Sequence, residues 1–157
     1  MNVQVGNNNP LLKQVMEEFD FSNPPTDPLE LVSIMAQVMI DNGGIGLAAN
    51  QIGLPYRAFV LYADELIPVF NPKIVDFSEE MIILEEGCLS YPGLFVKIKR
   101  PRQIRARYTE PNGVVVTKTF TGMTARAFQH ECDHLNGIIH TSRANRYHRE
   151  QALKRRK

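Results

Sequence analysis

No run of 18 apolar residues occurs in this chain, which excludes a membrane-spanning helix of the usual length, about 20 residues. The opening stretch, MNVQVGNNNP, lacks the basic start and apolar core of a secretory signal, so a cytoplasmic location and no membrane partner are expected. Cysteine is scarce: Cys88 and Cys132 are the only two. A secreted disulfide scaffold of this size carries more, and two thiols in a cytosolic chain more often serve packing or metal binding than a bridge. Internal repeats and low-complexity segments are also missing. What is present, 43% apolar and 22% charged residues in a length of 157, suits one domain over 1–157 with a packed core.

The net charge of +1 hides an asymmetry. Residues 1–86 carry 3 Lys/Arg against 13 Asp/Glu, and residues 87–157 carry 15 against 4. The basic residues gather in 97–107 and 143–157. A solvated strand edge and a solvated tail produce such clusters, and so does a surface that meets an acidic partner such as RNA. No aromatic-rich nucleic-acid motif accompanies them, and no DNA partner is expected.

Leu11, Leu12, Val15, Met16 and Phe19 have helical spacing and predict a short helix, ended by Pro24-Pro25. Asp27-Pro28-Leu29-Glu30 marks a second helix start, with Asp27 as cap, Pro28 in the first turn and Glu30 completing a capping box. Leu31, Ile34, Met35, Val38 and Met39 form its apolar stripe, and Gly43 is its stop. Gly44-Ile45-Gly46-Leu47-Ala48-Ala49 matches the dinucleotide fingerprint GxGxxA only superficially, because that fingerprint follows a strand and this stretch follows a helix. Its small residues let backbone approach a ligand, with the Gln51 amide beside them. Strands are expected at 57–62 and 67–71, and a hairpin around 76–80. Leu94, Val96 and Ile98, then Ile104, Ala106 and Tyr108, alternate with polar or exposed positions as half-buried strands do. Pro111-Asn112-Gly113 turns the chain into a strand over 114–120. A helix follows from Gly122 to about Asn136, with Thr121 as cap and Gly137 as stop, and a short basic helix or tail closes the chain over 142–157. One helix, then strands, then a helix gives an α+β domain rather than a βαβ sheet.

The predicted helix at 122–136 carries Gln129-His130-Glu131-Cys132-Asp133-His134-Leu135-Asn136-Gly137, which contains HExxH. Positions i and i+4 share a helix face, so His130 and His134 can reach one metal ion. Glu131 is turned off that axis and can act on water without ligating. Metal hydrolases commonly use three protein ligands, and two residues compete for the third place. His140 would complete HExxHxxGxxH, the pattern of a zinc endoprotease, but the Met-turn of that family is missing downstream, where Met123 is already the last methionine. Cys88, between Gly87 and the Pro92-Gly93 turn, is the other candidate.

Three stretches, GIGLAANQ (44–51), EGCLS (86–90) and QHECDHLNG (129–137), resemble in content and order the signature motifs of peptide deformylase. The likeness extends over about 28–140 and is closest to a short form with a reduced C-terminal helix, without the longer members' opening motif. The resemblance implies antiparallel sheets wrapped around a central HExxH helix. It implies removal of the formyl group from N-formylmethionyl nascent chains, releasing formate. Carried over, it makes Cys88, His130 and His134 metal ligands, Glu131 the general base and acid, and Gln51 with the Leu89 N–H the oxyanion donors. Gly46 and Glu86 line or support the site. Ile45, Leu84, Met123, Ala127 and His130 border a methionine pocket, where Arg126 replaces the family's usual apolar residue. Asp133 is expected to pair with Arg100, and Cys132 to be core. The resemblance favours Fe(II), with Zn(II), Ni(II) or Co(II) as substitutes, and a ribosome contact through the basic tail. The alternatives are the endoprotease and a non-catalytic ribosome- or RNA-binding domain.

Overall fold

The structure, a computed structural model, describes residues 2–4 and 6–156. Asp27 caps helix α1 (Pro28–Asp41) by accepting from the Leu29 N–H at 3.0 Å, and Gly43 at φ +66° lets the chain leave it. The cap is one-sided, without the reciprocal Glu30 bond of a full capping box. The chain then forms β1 (Gly46–Ala48), a 3-10 turn (Ala49–Ile52), β2 (Ala58–Tyr62), β3 (Leu66–Phe77), β4 (Met81–Cys88), β5 (Tyr91–Pro101), β6 (Gln103–Thr109) and β7 (Val115–Thr121). Helix α2 (Gly122–Leu135) and helix α3 (Arg146–Arg155) follow. Among the described residues no helix is long and apolar enough to cross a membrane.

All strand pairs are antiparallel, in one sheet of order β1-β2-β3-β6-β7 and a second of β4-β5. The two sheets share one long ribbon. Phe77 pairs with Ile104 and Met81 with Pro101, so β3–β4 and β5–β6 are its two limbs. At the bend the Ser78 N–H donates to the Gln103 carbonyl and the Arg102 N–H to the Glu80 carbonyl, both at 2.9 Å. The ribbon closes at its tip, where Cys88 opposes Tyr91 across Leu89-Ser90. The hairpin expected around 76–80 is therefore not formed. Those residues carry the chain from one sheet to the other, because their backbone partners lie on the far limb and not on each other.

The helix expected at 11–19 is also absent. Pro10–Lys13 forms one 3-10 turn, then the chain runs extended, with Val15 bridged to Asn136 and the Met16 N–H donating to the Leu135 carbonyl at 2.8 Å. The helical spacing misled because Leu12, Met16 and Phe19 each enter a different apolar cluster. A single helix face could not have served all three.

Helix α2 packs against β1, β2, β5, β6 and β7, giving an α+β fold with antiparallel sheets around it. Its Ala125, Phe128, Cys132 and Leu135 fill the cluster beneath the five-stranded sheet, where the Phe128 ring meets Phe59 edge-on at 5.0 Å. Cys132 is core, as expected. Burying a side chain such as Phe128 contributes about 1.5–3 kcal/mol. Thr121 occupies the cap position without a side-chain cap bond. At the other end, Arg57 donates to the Leu135 carbonyl at 3.2 Å and Asn50 to the His134 carbonyl at 2.7 Å, satisfying acceptors that a helix C-terminus leaves open.

Gly137 leaves α2 at φ +71°, and a Cβ there would stand 2.8 Å from the Lys13 carbonyl carbon. Gly137→Ala is expected to lower unfolding stability by about 1–3 kcal/mol, read by urea denaturation, because both the backbone conformation and the close approach of 13–14 oppose it. An unchanged midpoint would mean the two segments are not held together there.

Candidate metal centre

The register of α2 and the ribbon tip bring three ligand atoms together. His130 Nε2 and His134 Nε2 lie 3.2 Å apart, and Cys88 Sγ lies 3.2 Å from His134 Nε2. All three atoms fall within 4.8 Å of one another. His130 Nδ1 faces Glu86 Oε1 at 3.0 Å, which leaves Nε2 aimed at the cluster. Burial and the charge on His130 hold the His134 imidazole well below its usual pKa, so it is neutral and able to ligate. His130 is held well above its usual range; burial opposes this, but Cys88 and Glu86 on its two sides prevail. Surroundings that draw positive charge to this point, with two imidazoles and a thiol converging, fit a divalent metal ion.

Beside the cluster, Glu131 is 4% exposed and its Oε1 has no partner among the described residues. Burial pushes its carboxyl up to about 7, against the opposing charge of His130. A Cβ at Gly46 would stand 2.6 Å from Glu131 Oε2, so glycine is what lets β1 pass this carboxylate. Gln51 sits in the 3-10 turn after β1. Its Oε1 accepts from the Ala48 N–H at 2.9 Å, which turns Nε2 toward Ser90 Oγ at 3.2 Å and Cys88 Sγ at 3.6 Å. Leu89 begins the tip turn beside Cys88 and lines the same cavity.

That cavity measures about 610 Å³ and is lined by Ile45, Gly46, Gln51, Glu86, Cys88, Leu89, Met123, Ala127, His130 and Glu131, among others. Leu84 is not in the lining and is 40% exposed. Arg126 is there instead. It bonds to the Glu86 carboxylate and to the Ile82 carbonyl, on either side of Leu84 in the strand. His140 is buried and outside the ligand cluster, with Nε2 3.0 Å from the Leu94 carbonyl.

Behind the cluster, Glu86 accepts from Arg100 Nε at 2.5 Å and Nη2 at 2.9 Å, and also from Arg126. Arg100 Nη1 donates to Asp133 at 2.9 Å, the pairing expected from the sequence. Burial works against ionising Glu86, yet His130 and Arg100 hold its pKa down at about 2. Sequence reasoning missed three residues. Arg126 as a second guanidinium on Glu86, Asn50 as a clamp on the C-terminus of α2, and Ser90 against Gln51 depend on which strands meet, and no local spacing announces them.

The sequence profile of the family described as Polypeptide deformylase matches residues 3–150. A peptide deformylase of Treponema pallidum is 41% identical over 125 residues, 79% of this chain and 77% of that one. The crystal structure of peptide deformylase from Thermus thermophilus superposes with a TM-score of 0.89 at 33% identity, covering 97% of this chain and 90% of that one. A peptide deformylase from Synechococcus elongatus, in complex with actinonin, gives a TM-score of 0.89 at 29% identity, covering 98% and 84%.

Two stability measurements follow. Arg100→Met strips a partner from both Glu86 and Asp133 and is expected to cost about 3–5 kcal/mol. Arg126→Met leaves Glu86 its other partners and should cost less; the reverse order in urea denaturation would overturn the arrangement. Glu131→Gln should raise the Tm of metal-free protein at pH 8 and much less at pH 5. A carboxyl whose folded pKa is raised from 4.5 to about 7 loses stability as pH rises through that window, and Gln has no proton to lose. An equal effect at both pH values would contradict this.

Proposed function

This chain belongs to the polypeptide deformylase family, and from that premise we propose how its residues carry the activity. It is a hydrolase that removes the N-formyl group from nascent polypeptides, and its family is one of metalloenzymes. The reading of the site rests on one observation, the convergence of Cys88 Sγ, His130 Nε2 and His134 Nε2 beside the buried carboxylate of Glu131, whose Oε1 has no partner among the described residues.

Cys88, His130 and His134 would hold the ion. We assign Fe(II), which the family resemblance favours, with Zn(II), Ni(II) or Co(II) as substitutes; thiolate and imidazole suit iron as well as zinc. Such an ion supplies Lewis-acid chemistry that makes water nucleophilic near neutral pH. Glu131 takes the proton of that water on a carboxylate oxygen as the oxygen adds to the formyl carbon. Glu131 is 4% exposed and stands beside the ligand cluster, a position from which it can hold that proton. The Gln51 Nε2–H and the Leu89 N–H meet the charge developing on the formyl oxygen. Glu131 then gives its proton to the amine nitrogen as the C–N bond breaks, releasing formate and a free N-terminal Met. Glu86 fixes the His130 ring, and Gly46 leaves room for Glu131. Ile45, Met123 and Ala127, with His130, are assigned to the wall around the methionine side chain. Leu84 is left out because it lies off the cavity.

Residues 1–157 act as one catalytic domain in this reading, and the substrate places it in the cytoplasm. The basic α3, with the tail around it over 142–157, is assigned a ribosome contact. An endoprotease using His140 is not favoured, since Cys88 and not His140 groups with His130 and His134 among the described residues.

Formate release from an N-formyl-Met tripeptide, with protein loaded anaerobically with Fe(II) or Ni(II), tests the assignment. Cys88→Ala should lose activity together with bound metal. Glu131→Gln should lose about 10²–10⁴ in kcat while keeping metal, and Gln51→Ala about 10²–10³. His140→Ala should keep it. Dependence on His140 with indifference to Cys88 would overturn the ligand set.

A further inference from the structure

Helix α2 separates two cavities. The second, about 520 Å³, lies against Gln129, Cys132, Asp133 and Asn136, a stripe at i, i+3, i+4 and i+7 on the side away from His130 and His134. Five cationic side chains line it, Arg57, Lys73, Lys99, Arg100 and Arg143, against one carboxylate, Asp133, which leaves an excess of four. That carboxylate is taken. It accepts from Arg100 at 2.9 Å and from Arg143 at 3.1 and 2.8 Å. Glu86 also faces Arg100, from the active-site side, but Arg126 offsets it. Among the described residues Arg57 bonds only to uncharged groups, the Met16 and Leu135 carbonyls and the Asn136 side chain. Lys73 and Lys99 are exposed, and among the described residues neither makes an ion pair. Two apolar side chains stand beside these cations, Phe77 at 53% and Met81 at 40% exposure.

Separated cations along a groove take successive phosphates and release their counterions, and an exposed ring stacks bases of any sequence. We propose that this cleft binds single-stranded RNA, with phosphates at Lys73 and Lys99 and a base against Phe77. The opposite side of α2 then stays open to the formylated chain end. The choice of RNA over other polyanions rests on Phe77, which offers nothing to a bare polyanion, and on the nascent-chain substrate, whose synthesis surrounds the protein with RNA. It places RNA on a surface separate from α3.

The test uses the metal-loaded full chain and a fluorescein-labelled single-stranded RNA of about 12 nucleotides, read by anisotropy over a salt series. Lys73→Glu/Lys99→Glu is expected to weaken binding about tenfold or more and to flatten the log–log salt slope by about 1.4, two contacts at about 0.7 each. Phe77→Ala should weaken it about fivefold with the slope kept. Lys154→Glu/Arg156→Glu, at the end of α3 and at its C-cap, should have the smaller effect. Lys73→Glu/Lys99→Glu and Phe77→Ala should release formate at the wild-type rate, which reports an intact fold independently of RNA. Three results would overturn the site: wild-type binding by Lys73→Glu/Lys99→Glu, the main loss falling on the α3 variant, or no binding by the wild type. Displacement of RNA by polyphosphate at equal charge, with Phe77→Ala silent, would reduce the cleft to an unspecific polyanion surface and sink the RNA assignment.

Discussion

The Arg100 guanidinium ties the molecule together at its least forgiving point. It is nearly buried on β5 and reaches Glu86 on β4 and Asp133 on α2 at once. A buried cation is costly unless its hydrogen bonds are met, so its position demands that the two-stranded ribbon end and the helix stay in one registration. Glu86 passes that constraint on to His130, and the ribbon tip two residues later delivers Cys88. The network therefore fixes position as well as charge, because the His130 ring is oriented by the same Glu86 carboxylate that Arg100 holds.

The ribbon that carries this network is bent, and the bend creates the site. Its first limb pair extends the five-stranded sheet, and its second turns back as β4-β5 to close over α2. A bulge between Glu86 and Cys88 shifts the register there, and such bulges re-aim side chains. The Glu86 carboxylate and the Cys88 thiol thereby both reach α2. Glycine matters at one close approach in particular: at Gly46 a side chain would displace the buried Glu131 carboxylate.

The same helix faces two chemical environments. On one side lie a thiol and two imidazoles that converge within 4.8 Å of one another. On the other lies an excess of arginine and lysine drawn from segments far apart in the chain. The charge asymmetry of the sequence, 3 Lys/Arg against 13 Asp/Glu before residue 87 and 15 against 4 after it, is thus not only a matter of the tail. Part of it lines a cavity, where Lys73 and Arg57 from the acidic half join Lys99 and Arg143 from the basic half.

The sequence by itself determined what is local. HExxH places His130 and His134 on one helix face because helical periodicity is independent of context. The Asp27 cap and the alternation through Leu94–Ile98 and Ile104–Tyr108 are read the same way, and three ordered motifs were enough to indicate the family. Tertiary structure alone decided the rest, because those choices compare partners distant in sequence. Whether 76–80 folds back or crosses between sheets depends on the far limb, 101–104. Whether 11–19 is helical depends on three separate clusters competing for its side chains. Arg126 acquires its partner only when α2 lies against β4, and the cationic cleft exists only where β3, β5 and α2 meet. No periodicity within a segment encodes an energy that comes from two segments meeting.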